Sequence, residues 1–275
     1  MTRPVRIGVF APAQHVGDYQ VIRDRIRVLE DLDVDVVFGQ DHFFPATPAD
    51  GSRLEHGEHG GLIGAEKLEG PNFEGWSALA AWAEQTQRVT LGMLVTGAGY
   101  RNPDLLADMA RTVDHISGGR LILGLGAGWF DKDYREYGYD FGTIGSRQKL
   151  FDQALPRIKD RLTKLNPAPA GELPLLIGGV GEKKALPRIA RHADIWHAVA
   201  DTQTIIAKSL LLNQYAEQIG RNPAGIERAS RWENPTQADT LVQAGFSLFV
   251  VSMPTANYPL DAVHDAITWR NTHRN

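Results

Sequence analysis

The ten residues Arg120–Trp129, RLILGLGAGW, set the frame for the chain. Leu121-Ile122-Leu123 is a buried β-type run that enters glycines at 124, 126 and 128 and then an aromatic residue. The polar FDKDYREYG that follows has the character of a helix start. A strand that ends in glycines lets something flat or charged approach the backbone, because no side chain stands in the way. A helix start beyond it offers unpaired N–H groups. The plainer reading is a glycine turn kept small by packing. A dinucleotide fingerprint of the form G-x-G-x-x-G would need its last glycine at 129, where Trp stands, so a classical Rossmann site is set aside.

The same grammar recurs on either side. Upstream, 5–10, 34–38 and 89–96 read as strands, with helices over 19–32, 73–87 and 103–116. Downstream, 173–177, 195–199, 228–232 and 246–251 read as strands, with helices over 147–165 (capped by Ser146), 182–192, 202–219, from 236, and 260–273. Strand 228–232 has the weakest pattern. Alternation of this kind calls for parallel strands with right-handed crossovers. Eight repeats in 275 residues favour a single (β/α)8 TIM barrel domain over 1–275, since such barrels run to about 250 residues, over an open doubly wound sheet. One connection breaks the rhythm: 43–73 carries three prolines and six glycines without periodicity, a cover loop of roughly 30 residues.

Composition narrows the function. The chain is 43% hydrophobic and 23% charged, with net charge −4 and pI near 6.1, so nucleic acid and anionic membrane are not expected partners. With no cysteine, disulfides, thiolate catalysis and Cys-based metal sites are excluded. The N-terminal apolar run is too short for a signal peptide, and no stretch approaches the roughly 18 apolar residues of a spanning helix, so a cytoplasmic protein is expected.

Sites in a barrel lie at the carboxyl ends of the strands. Here those ends are Gln40-Asp41-His42, Thr96-Gly97, Gly126-Ala127-Gly128-Trp129 and Gly178-Gly179-Val180-Gly181. Three of the four are poor in side-chain chemistry, which suits a planar cofactor better than a nucleophile supplied by the enzyme. GGVGE before a helix is a candidate phosphate cradle. Asp41-His42 is the titratable pair at a strand end and the candidate proton relay, against the bland alternative of a polar plug. Asp131, Asp133 and Glu136 are explained by an acidic first helical turn. His56 and His59 have an H-x-x-H look but sit in a glycine-rich loop, so no metal site is expected. No role is assigned to His192 or His197.

Three separated stretches carry a family likeness: GQDHFFP (39–45), LGMLVTGAGYRNPDLLADMARTVDHISGGRLILGLGAGW (91–129) and PLLIGGVGEKKALPRIARHADIW (174–196). The chain resembles the bacterial luciferase-like monooxygenases, and within them the coenzyme F420-dependent oxidoreductases. The resemblance implies a barrel holding F420 or FMN at the strand ends. It places Asp41 and His42 near the ring, and Thr96 and Gly97 under it, where family members often have a non-proline cis peptide just before. It places Gly126, Ala127 and Gly128 along the cofactor and Gly178, Gly179, Val180 and Gly181 at its phosphate. From the residues themselves, Tyr134 is a candidate to reach the cofactor, and Trp76 and Trp129 are candidates to wall the substrate pocket, with core packing an equal reading for Trp76. Trp129 stands where the F420-dependent sugar-phosphate dehydrogenases carry a glutamate, so a sugar phosphate is not the expected substrate. The connection 166–173 is too short for the hairpin common in the family. The implied activity is hydride transfer between a deazaflavin and a small organic molecule. FMN monooxygenation and flavin binding without catalysis are the alternatives, and a homodimer stays open.

Overall fold

The computed structural model describes residues 3–50, 52, 54–55, 62–253 and 257–273. The elements follow in the order β1 Arg6–Phe10, α1 Tyr19–Asp31, β2 Val36–Gly39, α2 Gly75–Gln85, β3 Thr90–Met93, β4 Thr96–Gly97, α3 Pro103–Ser117, β5 Leu121–Gly126, α4 Asp131–Glu136, α5 Ile144–Lys164, β6 Leu175–Gly178, α6 Ala185–His192, β7 Ile195–Ala198, α7 Thr202–Gln218, β8 Glu227–Arg231, α8 Pro235–Gln243, β9 Phe246–Ser252 and α9 Asp261–Thr272. The strands pair in parallel in the order β3-β2-β1-β9-β8-β7-β6-β5-β4. Pairing of β3 with β5 (Leu91 with Leu121) closes the ring. β3 and β4 are the two halves of one stave, interrupted at a cis peptide between Leu94 and Val95, so the barrel has eight staves. The sequence pattern runs 89–96 as one strand. In space the Met93 carbonyl turns in over Gly124, occupying the place a Cβ would take.

Alternation within each stave sorts the apolar side chains into two layers. Val36, Phe38, Ile122, Leu176, Ile195, Ala229, Leu248 and Val250 fill the lumen. The other faces pack against the helices in a larger shell that includes Ile7, Val9, Leu91, Leu123, Ile177, Trp196 and Phe249. The weak pattern of 228–232 has a physical reason. β8 opens with two charged residues that the fold satisfies individually: Glu227 accepts from Arg6 at 2.6 Å and from Ser247 at 3.0 Å, and Arg228 donates to the carbonyls of Pro223 and Ile226 and to Asn213.

Two helix starts differ from the sequence pattern. Thr143, not Ser146, caps α5; Ser146 is the third helical residue and returns the bond by accepting from the Thr143 N–H at 2.8 Å. α6 begins at Ala185 and not at Glu182, so three residues separate the glycines from the helix. The short connection 166–173 holds no strand. It is tied to α3, whose Asp114 accepts from the N–H groups of Ala170 and Gly171 at 2.8 and 2.9 Å. In the 43–73 segment, Ala46 and Ala65 bury with Phe130, and Phe44, Leu54, Leu62 and Leu68 pack beside Trp129, a satellite core that holds the segment over the ends of β2 and β5. His56 and His59 lie outside the described residues.

Candidate active site

At the carboxyl ends of β2, β4, β5 and β6 a cleft of about 910 Å³ opens. One wall carries His42, Tyr100 and Trp129, the floor is Leu94, Val95, Gly97 and Gly126-Ala127-Gly128, and the far wall is Gly178-Gly179-Val180-Gly181. Glu182, Lys183, Lys184, Arg188, Arg147 and Lys208 also line the cleft; Arg188 is paired with Asp152 and Lys208 with Glu182, so Lys183, Lys184 and Arg147 are the cations without a carboxylate partner among the described residues. That size lies within the range of cofactor and ligand sites, roughly 300–1,000 Å³.

His42 leaves the end of β2 with its ring fixed by a residue from α4. Its Nδ1 stands 2.6 Å from Oδ2 of Asp133, which is fully buried. The same carboxylate accepts from the Tyr100 hydroxyl at 2.7 Å and from the Phe43 N–H at 3.0 Å. A carboxylate that collects three donors asks the imidazole for a proton at Nδ1, which leaves Nε2 as the atom free to exchange a proton. Trp129 and Phe130 hold the ring edge-on, with centroids 5.2 and 5.3 Å away. Burial and the Asp133 charge push the Tyr100 hydroxyl far above its ordinary range, so it stays protonated and donates to Asp133.

Asp41 faces the other way. Arg101 grips both its oxygens, at 2.5 and 2.9 Å, and reaches Glu74 at 2.7 Å. Burial pushes the Asp41 carboxyl up to about 6, against the pull of Arg101, so it stays ionised at neutral pH. Glu74 in turn caps α2 by accepting from the N–H groups of Trp76 and Ser77. Asp41 thus anchors the start of α2 to the mouth of β4 and does not line the cleft.

Two kinds of glycine meet here. At Gly126 a Cβ would stand 2.7 Å from a methyl of Val95, and at Gly128 (φ +83°) it would run into the Tyr134 hydroxyl. These positions are demanded by packing, although their other side faces the cleft. At Gly178 and Gly181 the nearest atoms to an added Cβ are 3.8 and 3.7 Å away. Packing leaves that space open, and the glycines keep it so. Among the described residues the N-terminus of α6 just beyond has no side-chain cap.

The sequence-derived candidates separate into two groups. His42, Gly97, Gly126, Ala127, Gly128, Trp129, Gly178, Gly179, Val180 and Gly181 converge on the cleft. Asp41, Thr96, Tyr134 and Trp76 lie behind its wall. The Trp76 indole N–H donates to the Thr96 hydroxyl at 3.0 Å, and both are buried. Tyr134 wedges beneath Gly128, its hydroxyl without a partner among the described residues and pushed up to about 12 by burial. Sequence reasoning misses Asp133, Tyr100 and Arg101 and the basic rim. The two lysines after GGVGE are a visible signal for that rim; Asp133 has none beyond its place four residues past Trp129.

The luciferase-like monooxygenase family model matches residues 5–233. Limonene 1,2-monooxygenase of Rhodococcus erythropolis is 42% identical over 72 residues, 26% of this chain and 18% of that protein. F420-dependent glucose-6-phosphate dehydrogenase of Intrasporangium calvum is 29% identical over 160 residues, 58% of this chain and 40% of that protein. The matches therefore span less than half the length of these relatives. Among solved structures, an F420-dependent secondary alcohol dehydrogenase in complex with an F420-acetone adduct superposes with a TM-score of 0.78 at 14% identity, covering 99% of this chain and 100% of that one. A parallel eight-stave barrel, a match over most of its length and a cleft at its strand ends lead to one assignment: the chain belongs to the luciferase-like monooxygenase family.

Proposed function

We propose that this protein is an F420-dependent oxidoreductase acting on a small organic molecule. The observation that carries the reading is the pairing of an open glycine turn, 178–181, and its basic rim with a carboxylate-oriented imidazole across one cleft. The residues suit a flat ring with a phosphate. Gly97 and Gly126-Ala127-Gly128 present backbone where a ring would lie, and Gly178, Gly179, Val180 and Gly181 with Lys183, Lys184 and the start of α6 present N–H groups and positive charge where a phosphate would lie. When bound, the deazaflavin supplies the hydride chemistry. The chain supplies the rest. The apolar floor of Leu94 and Val95 excludes water, and His42 Nε2 takes up or releases the proton that accompanies hydride transfer, held in place by Asp133 and Tyr100.

F420-dependent relatives favour this cofactor, and the limonene monooxygenase relative supports FMN with oxygen chemistry as the second reading. Titrating purified protein with F420 and with FMN, each followed by fluorescence quenching, separates them. F420 binding in the micromolar range or tighter is the expected result; tight FMN binding with no response to F420 overturns the choice.

A further inference from the structure

Beside the large cleft lies a smaller pocket of about 280 Å³ over the centre of the barrel, walled by Phe10, Leu94, Val95, Val199 and Val250. Leu94, Val95 and Gly178 line both spaces, so the two adjoin. Three polar residues line this largely apolar chamber, His197 from β7, Arg231 from the end of β8 and Ser252 from the end of β9.

Neither His197 nor Arg231 is used up by the fold. Among the described residues, His197 Nε2 is sealed from solvent without a hydrogen-bond partner, and so is Arg231 Nε. Arg231, itself 29% accessible, makes one side-chain hydrogen bond among the described residues, from Nη2 to Glu233, which is 37% accessible. Its sealed Nε is the donor left open. Burial, helped by the charge of Arg231, pushes His197 down to about 4, so the imidazole is neutral at physiological pH and the positive charge of the chamber comes from Arg231. A sealed guanidinium N–H and a sealed imidazole nitrogen beside one apolar space are polar groups that the fold leaves open, and buried polar groups are ordinarily hydrogen-bonded.

We infer that this chamber seats the anionic head of the substrate, and that the substrate class is a small organic acid whose carboxylate is held by Arg231 and His197. The guanidinium fork matches a carboxylate, and the neutral imidazole adds an N–H donor beside it. The apolar walls suit a short carbon chain leading towards the cleft. Its volume sits at the lower edge of ligand pockets, which are about 300 Å³ and up, room for a small head group. Calling the ligand a substrate rests on the redox reading above; the anion seat itself does not.

The test uses butyrate and its uncharged near-isostere butyramide as probes, with binding to the full-length protein followed by ligand-observed NMR. Butyrate is expected to bind about tenfold or more tightly than butyramide, Arg231→Gln to bring butyrate down to the amide's level, and Arg231→Lys to keep part of the preference. Equal binding of the two probes by the native protein overturns the inference, and so does an unchanged preference in Arg231→Gln. Titrating the same samples with F420 and FMN keeps the readings apart. A butyrate preference that depends on Arg231 without binding of either cofactor leaves the seat standing and removes the redox role. Cofactor binding with no butyrate preference does the reverse.

Discussion

Asp133 shows how much of a site can turn on one side chain. In sequence it is one of several acids in a first helical turn, and the helix dipole accounts for it. In space it is completely buried and collects three donors, among them His42 Nδ1. It acts through His42 and is a positioning residue. Asp133→Asn keeps the shape and removes the charge. In the proposed F420-dependent reaction kcat is expected to fall on the order of 10²-fold, with cofactor affinity changed far less. A loss of packing alone would lower cofactor affinity and kcat together, so kcat measured beside the Kd for the cofactor decides the matter. His42 and the glycine turns are legible along the chain because strand ends mark them. Asp133 and Arg101 are not, since their partners lie 91 and 60 residues away.

The elements that carry these residues are joined by few, specific contacts. Near the end of α1, Glu30 accepts from the consecutive N–H groups of Gln87, Arg88 and Val89 at 2.9, 2.7 and 3.0 Å, fixing the point where the chain enters β3. Burial opposes the charge of Glu30, but these three bonds and the nearby Arg88 outweigh it and hold its carboxyl below the ordinary 4.5. A lowered folded value means that the unfolded chain binds the proton more readily. The stabilisation is therefore present above 4.5 and is lost as pH falls through the lower folded value. Glu30→Gln should cost about 1–2 kcal/mol at neutral pH and flatten the acid limb of stability, measured by urea unfolding across pH. Element identity reads well from period and turn chemistry, while boundaries read less well. α5 starts at Ile144, behind its Thr143 cap, and α6 at Ala185, because local hydrogen bonding and not hydrophobic period sets the first turn.

Closure of the barrel brings the two chain ends together. Arg270 of α9, with no exposed surface, donates from Nη1 to the Asp33 carbonyl at 2.6 Å and to Asp35 at 2.8 Å. Asp35 also accepts from the Ile7 N–H at 2.7 Å, so the last helix is locked to β1 and to the entrance of β2. Arg270→Met removes the buried cation that ties α9 to Asp33 and Asp35. The expected loss is about 3–5 kcal/mol, a fall in Tm on the order of 10 °C, read by calorimetry. The alternation of strands and helices, the glycine-bearing strand ends and the family likeness are all readable along the chain, because each is a local pattern of period 2, period 3.6 or a short motif. Two things come only with tertiary structure. They are the Asp133–His42 and Arg101–Asp41 pairings, and the chamber where His197 and Arg231 meet. They depend on which residues a closed ring of staves sets side by side, and a one-dimensional pattern carries no record of distances across that ring.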